Sequence, residues 1–437
     1  MAVFVSPNQR DGARQRATRA RKPTKFLQLL ATSLLPYRLE PMSRNRNGRI
    51  RRLVGLQCLL LLYALTVQCA TGQSSERILR YGKVNGKPAT FVVDTGCGGS
   101  YVLFRKAAQQ LGLKIIEADP VAIPAPGQVP TGSTEECRVA FAGTESTTYF
   151  SVIDIPQSLS TAEDGALGWP LFRNTIVDLN ARAGTIEVLQ SPPEQTGGWI
   201  TLRISTNSND LRLELPIPGE RLRMLCVDTG SSHGVGLPPM MWRAWKANHS
   251  DSQTTFLRYY IPATGEVVKE ESWASEIAFG PLTLTEVPVT EASQTELDLG
   301  GPGYEATLGL AALKRMDVVL DTKHGMAYLR PRKSPPLPYQ HNRLGALFAS
   351  PGLTGKRPLA QVAKGGPAER AGIKNGDVLQ KIDGVGVDVE TPIFWEREAG
   401  TRVELSLLRG DKPIKVTVVL EDILGPKRSE TSRPERR

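Results

Sequence analysis

The chain has 437 residues, 40% of them hydrophobic, which is more than one small core organises and enough for several domains. Its formal charge of +10 suggests a nucleic-acid or membrane partner until the charge is located. Residues 1–72 hold 13 Lys or Arg against Asp11 and Glu40, whereas residues 73–437 hold 41 basic and 42 acidic side chains, a net −1; the body lacks the basic footprint that phosphate contacts need, which excludes nucleic-acid binding.

In chain order, Arg44, Arg46, Arg49, Arg51 and Arg52 precede an apolar run over residues 53–67, and Ala70-Thr71-Gly72 follows with small residues. That is the layout of a secretory signal. Counted from Met42 its length is ordinary, so residues 42–72 are expected to be a signal peptide and residues 1–41 a basic extension ahead of the true start. The rival reading is an uncleaved signal anchor, although the run is short for a bilayer span. The protein is therefore expected to be exported, periplasmic or secreted, with a signal-anchored membrane protein as the alternative. Cys69 follows Gln68, a poor fit to a lipoprotein cleavage site.

From residue 73 the chain reads as short strands punctuated by Gly and Pro, at 90–93, 138–142, 185–189, 211–215 and 282–289, which predicts all-β lobes. Short helices are expected at 106–111 and 239–245, with a helical turn at 170–173. Two apolar strands end in the same turn, Phe91-Val92-Val93-Asp94-Thr95-Gly96 and Leu225-Cys226-Val227-Asp228-Thr229-Gly230-Ser231. The repeat extends further. Ile123-Pro124-Ala125-Pro126-Gly127 returns as Ile261-Pro262-Ala263-Thr264-Gly265, Ala140-Phe141 as Ala278-Phe279, and Ala166-Leu167-Gly168 as Thr307-Leu308-Gly309. Four landmarks in one order point to a duplicated unit. A carboxylate ending an apolar run sits at the edge of a core, where burial and a second charge shift its pKa, so Asp94 and Asp228 are expected to face each other.

These residues resemble the retropepsin and pepsin group of aspartic proteases over roughly residues 78–332. The resemblance implies two retropepsin-like β lobes forming a pseudo-dimer, over residues 73–190 and 199–330. It also implies Asp94 and Asp228 as the catalytic pair, supported by Thr95, Gly96, Thr229, Gly230 and Ser231, with Thr95 and Thr229 locking the halves by reciprocal hydrogen bonds. Gly127 and Gly265 read as the turns of two flap hairpins, or alternatively of ordinary surface hairpins. Cys97 departs from the usual Ser or Ala of the family and puts one hydrogen bond around Asp94 in question. Cys97, Cys137 and Cys226 form an odd set after signal cleavage; a small buried apolar role competes with a catalytic one for Cys97.

A stretch with four prolines, Pro331, Pro335, Pro336 and Pro338, separates this region from a segment of different character. Residues 341–424 contain Arg343-Leu344-Gly345-Ala346-Leu347-Phe348, then Gly366-Pro367-Ala368-Glu369-Arg370-Ala371-Gly372 and Asn375-Gly376-Asp377-Val378-Leu379, with strands at 359–362, 403–408 and 414–420. This resembles a PDZ domain of the bacterial kind. Such domains bind an extended C-terminus by strand addition, which would place a peptide at Leu344, Gly345, Ala346 and Leu347; the competing reading is that the module only packs on the lobes. Residues 425–437 read as a disordered tail.

Two adjacent carboxyls share one proton, and the ionised member can activate a water while the protonated one holds the scissile carbonyl; aspartic proteases are the standard example of this sharing. Gly230-Ser231-Ser232-His233-Gly234 also fits a Gly-x-Ser-x-Gly nucleophile elbow, but the strand and helix alternation of a hydrolase sheet is missing. His233, His249, His324 and His341 are too scattered for a metal site, and no metal or cofactor is expected. The expectation is thus a mainly β, monomeric, exported aspartic endopeptidase acting on polypeptides, with a C-terminal peptide as a second partner at the PDZ domain. An inactive peptide-binding protein is the alternative.

Overall fold

A computed structural model describes residues 77–118, 131–141, 144–155, 162–194, 196–216, 222–261, 265–293, 303–349, 358–387 and 397–426. The readings of residues 1–41 and 42–72, of the first flap turn at Gly127 and of the tail beyond residue 426 lie outside the described residues. Among those described, no helix is long and apolar enough to cross a membrane.

The duplication is written into the strand pairing. Lys87–Asp94 pairs antiparallel with Leu79–Val84 and parallel with Gly165–Gly168. Arg223–Val227 does the same with Arg212–Leu215 and Tyr304–Leu308. Gly165–Gly168 then pairs antiparallel with Tyr101–Phe104, as Tyr304–Leu308 does with Val235–Leu237. The next step is parallel in both halves, from Tyr101–Phe104 to Ser151–Ile153 and from Val235–Leu237 to Leu282–Glu291. A strand paired on both edges and buried on both faces reads as a continuous apolar run rather than an alternating one. Phe91 and Val92 accordingly pack in one core, whereas Val93 packs in the other beside Leu225 and Val227.

The expected helices are present as Arg105–Gln110 and Pro239–Asn248, which follow the equivalent strands Tyr101–Phe104 and Val235–Leu237. Pro239 suits the first helical turn, where its missing N–H would have had no partner. A 3₁₀ turn, Trp169–Phe172, and a short helix, Leu310–Leu313, follow the two equivalent glycines Gly168 and Gly309.

One boundary differs from the expectation. The hairpin of Ile176–Asn180 and Thr185–Leu189 falls within the expected first lobe, yet it pairs with Met316–Asp321 of the second half, Ile176 opposite Asp321 and Leu179 opposite Val318. Its mate, Met316–Asp321 with Met326–Pro331, is the corresponding hairpin of the second unit. Each hairpin offers the other an unpaired edge and an apolar face, and joining them satisfies the backbone groups and buries Val177, Leu179, Val318 and Leu320 in one core. The halves are thus fused through a shared 12-stranded sheet as well as through the site.

The C-terminal module is a separate sheet whose outer strand is Ala346–Ala349, followed in order by Leu359–Val362, Val378–Ile382, Arg402–Arg409 and Lys412–Val419. It has its own core, including Leu344, Phe348, Ile373, Leu379 and Leu405, and the short helix Pro367–Arg370 begins at a proline, which suits the first helical turn.

Candidate active site

Asp94 ends its strand fully buried, and Asp228 follows Arg223–Val227 at 6% exposure. Gly230 joins them: its N–H donates to Asp228 Oδ1 at 2.9 Å, while a Cβ added there would lie 2.5 Å from Asp94 Cγ. Only glycine allows the second loop to come this close to the first acid. Ser231 N–H adds a second bond to Asp228 Oδ1, at 3.2 Å. The two carboxyls therefore share one buried enclosure.

Burial, then the charge of Asp228, push the Asp94 carboxyl well above the usual carboxylate range, and the amides of Cys97 and Gly96 act in the opposite direction. Such a group keeps its proton at pH values where an ordinary aspartate has lost it.

The loops are held by a reciprocal set of buried bonds. Thr95 Oγ1 donates to Val227 O at 2.7 Å and accepts from Thr229 N at 3.1 Å. Thr229 Oγ1 donates to Val93 O at 2.8 Å and accepts from Thr95 N at 3.0 Å. Behind each loop the apolar-apolar-Gly segment repeats the same contacts. Trp169 N donates to Cys97 O at 3.0 Å and Leu310 N to Ser231 O at 2.7 Å; Gly168 N donates to Ser100 O and Gly309 N to Gly234 O. A Cβ at Gly168 would meet Gly99 O, and one at Gly309 would meet His233 O at 2.5 Å, so both glycines are required by close backbone approach.

Cys97, equivalent to Ser231, turns its thiol to Gly99 O at 3.6 Å. Burial and then the charge of Asp94 push that thiol up, away from the reactive thiolate. Cys97, Cys137 and Cys226 are all buried thiols outside any disulfide, a placement that suits small apolar residues. The nucleophile-elbow match does not build a triad either: His233 packs edge-on against Tyr259 at 4.7 Å, and burial holds it neutral with a pKa of about 3. Among the described residues there is no cluster of His, Cys, Asp and Glu able to hold a metal.

Gly265 opens the long strand Gly265–Phe279, which forms a hairpin with Thr254–Ile261. Tyr259 lies on this hairpin, so the hairpin contacts the loop that carries Asp228 through His233. That contact was not legible in the sequence, where His233 read only as part of a misleading motif.

The four residues expected to receive a peptide, Leu344, Gly345, Ala346 and Leu347, lie on and before the outer strand of the C-terminal sheet. Gly345 has φ +67, and a side chain there would meet Pro367 at 3.1 Å, so the turn that lifts the loop onto the strand needs glycine. Leu344, Ala346 and Leu347 are buried. The proline-rich stretch ends in a docked residue rather than a free spacer, because Tyr339 Oη donates to Glu271 Oε1 at 2.5 Å on the strand Gly265–Phe279.

Comparison with known proteins adds two family matches. Residues 81–171 match the model described as aspartyl protease, and residues 344–420 match the PDZ domain model. No curated protein matches the chain significantly. Among solved structures, a similar one is entitled EIAV protease complexed with the inhibitor HBY-793, at 23% identity, covering 24% of this chain and 91% of that one, with a TM-score of 0.18.

Proposed function

We propose that this chain, with its aspartyl protease domain and C-terminal PDZ domain, is an exported aspartic endopeptidase whose catalytic pair is Asp94 and Asp228. The observation that carries the reading is the pair itself: two buried carboxyls in one enclosure, one with its pKa raised by burial and by the other's charge. In this account one carboxylate takes a proton from a water held between the two, and the water oxygen attacks the scissile carbonyl carbon. The protonated carboxyl meanwhile hydrogen-bonds the carbonyl oxygen. The tetrahedral diol then collapses as a carboxyl gives its proton to the departing nitrogen.

Thr95 and Thr229 fix the distance between the loops, and Gly230 leaves room for the Asp94 carboxyl. The hairpin of Thr254–Ile261 and Gly265–Phe279 serves as one flap, with the segment around Gly127 as the other. Because one chain supplies both acids, a monomer is a complete enzyme. Export follows from the charged, apolar and small-residue order of residues 42–72.

The test is digestion of a peptide library by residues 73–437, with and without a transition-state inhibitor of aspartic proteases. Cleavage blocked by that inhibitor, and insensitive to chelators and serine-directed reagents, is the expected result. Cleavage that a chelator abolishes would overturn it. N-terminal sequencing of the mature protein from the exported fraction tests the signal, with a new terminus near residue 73 expected.

A further inference from the structure

Among the described residues, the outer strand Ala346–Ala349 of the PDZ domain ends the order of its sheet, with Leu359–Val362 paired along one edge. Ala363 N donates to Gly345 O, and Ala346 stands opposite Val362 with Leu347 opposite Gln361. In an antiparallel ladder, alternate residues turn their N–H and C=O to opposite sides. Gly345 and Leu347 therefore address Leu359–Val362, while Ala346 and Phe348 address the outer edge. This is the edge to which a peptide strand would be added, and the loop amide of Leu344 beside it is where a carboxylate would be received.

Both positions are already taken, by one side chain of the same protein. Asn342 Oδ1 accepts from Leu344 N at 3.0 Å, and Asn342 Nδ2 donates to Ala346 O at 2.9 Å. Only this orientation of the amide satisfies both partners. The Asn342 oxygen stands for a terminal carboxylate oxygen, and its NH₂ for the N–H of the last peptide residue. Asn342 is 5% exposed and Ala346 is fully buried, so the edge is covered as well as occupied.

The cover is the flap hairpin of the second protease half. Thr255 Oγ1 donates to Asn342 O at 2.7 Å, and Tyr339 Oη donates to Glu271 Oε1. The Tyr339 ring also packs near Trp273, 6.2 Å between centroids, and against His341. Thr255 lies on Thr254–Ile261, and Glu271 and Trp273 on Gly265–Phe279, the two strands of that hairpin. On the other side, His341 Nε2 accepts from Ile423 N and Leu424 N, and Arg343 pairs with Asp422, which anchors the segment to the PDZ domain's own end. Residues 339–342 are thus one short piece of chain held both in the peptide groove and on the flap hairpin.

We propose that Asn342 is an internal occupant of the PDZ groove, and that a peptide with a free C-terminal carboxylate displaces it, frees residues 339–342 from the flap hairpin and so acts as an effector of the protease. The coupling to proteolysis rests on the function proposed above, whereas the occupancy of the groove does not. The peptide and Asn342 compete for the same amide and the same carbonyl, so they cannot be seated together. The hairpin carries Tyr259 against His233, five residues beyond Asp228 in the same loop, so loosening it reaches the catalytic loop through named contacts.

The test uses residues 73–437 carrying Asp94→Asn, so that no probe is consumed and the outcome is independent of the peptidase reading. The probes are fluorescein-labelled hexapeptides ending in Val, Leu, Ala or Phe, each as free acid and as amide, with binding read by anisotropy. Removing the competing amide with Asn342→Ala is expected to tighten binding of the best free acid by about tenfold or more, the equivalent of one or two net hydrogen bonds. The amide is expected to bind neither form well. Tyr339→Phe, which leaves Asn342 in place but cuts the tie to Glu271, is expected to tighten binding by a smaller factor and serves if Asn342→Ala does not fold. Hydrogen exchange supplies the second arm: the free acid is expected to speed exchange in 254–261 and 265–279. Equal affinity for the parent and both variants, or binding that leaves exchange of the hairpin unchanged, overturns the proposal, as does failure of every free acid to bind either form. Loss of peptidase activity in the unmodified chain would count against the proposed function alone.

Discussion

Replacing Thr95 by valine removes one hydroxyl and almost no volume, at the joint where the loops of Asp94 and Asp228 meet. The hydroxyl donates to Val227 O at 2.7 Å and accepts from Thr229 N at 3.1 Å, and all three residues are at most 1% exposed. The valine leaves a carbonyl and an amide buried without a partner. At about 1–3 kcal/mol for each orphaned group, the cost is roughly 2–6 kcal/mol. That is a large share of the about 5–15 kcal/mol that holds an ordinary domain folded. Urea unfolding of residues 73–437 gives the stability change, and the cleavage rate of a peptide substrate gives the effect on the dyad. Thr95→Ser, which keeps the hydroxyl, is expected to recover most of both. Because Thr95 and Thr229 share the joint, the double valine variant should cost less than the sum of the singles by at least about 0.5 kcal/mol. A Thr95→Val variant that unfolds within about 0.5 kcal/mol of the parent and cleaves at the same rate would refute the idea that these bonds set the geometry of the pair.

Gly230→Ala is expected to abolish cleavage and destabilise by about 1–3 kcal/mol, since its Cβ would stand 2.5 Å from the Asp94 carboxyl carbon; calorimetry with a peptide assay checks both. Glu271, pushed up to about 8 by burial, binds a proton in the folded chain that the unfolded chain releases near 4.5, so stability present below pH 4.5 is lost as pH rises towards 8. Glu271→Gln removes that loss: the variant should match the parent at pH 4 and exceed it by about 3 kcal/mol at pH 7 in urea unfolding. Asp94, also raised, should give the cleavage rate an alkaline limb above the ordinary aspartate range, because activity falls when its proton leaves; a pH–rate profile that falls already near pH 4 would contradict this. Finally, the rate per molecule should not change on dilution, since one chain carries both acids; a rate that tracks dissociation of a dimer would show pairing between chains.

Much of this site was legible because its chemistry is written in short, contiguous stretches. Asp94 and Asp228 stand at the ends of apolar runs whose burial on both faces is visible as Phe91-Val92-Val93 and Leu225-Cys226-Val227, and the glycines at 168 and 309 stand at fixed places behind them. The helices at Arg105–Gln110 and Pro239–Asn248 and the strand Thr185–Leu189 also follow from local pattern. Other features depend on contacts that no local pattern specifies. The pairing of Ile176–Asn180 with Met316–Asp321 is a choice of partner edge made across 140 or so residues of chain. Asn342 is an unremarked polar residue between His341 and Arg343 until the fold puts its amide on Leu344 and Ala346. Glu271 lies in a strand of alternating character, and only the docking of Tyr339 explains why a carboxyl is buried there. Cys97 was open in sequence to a catalytic and to a small buried apolar role, and its buried thiol, facing a backbone carbonyl, fits the second.

The central claim is that Asp94 and Asp228 act as one catalytic unit. The most direct measurement is the peptide cleavage rate of Asp94→Asn, Asp228→Asn and the double variant, each shown by calorimetry to be folded. The account predicts that each single variant loses at least about 10³-fold and that the double variant loses hardly more than either single one, because residues acting as a unit are not additive. Substantial activity in either single variant, or losses that multiply in the double, would contradict it.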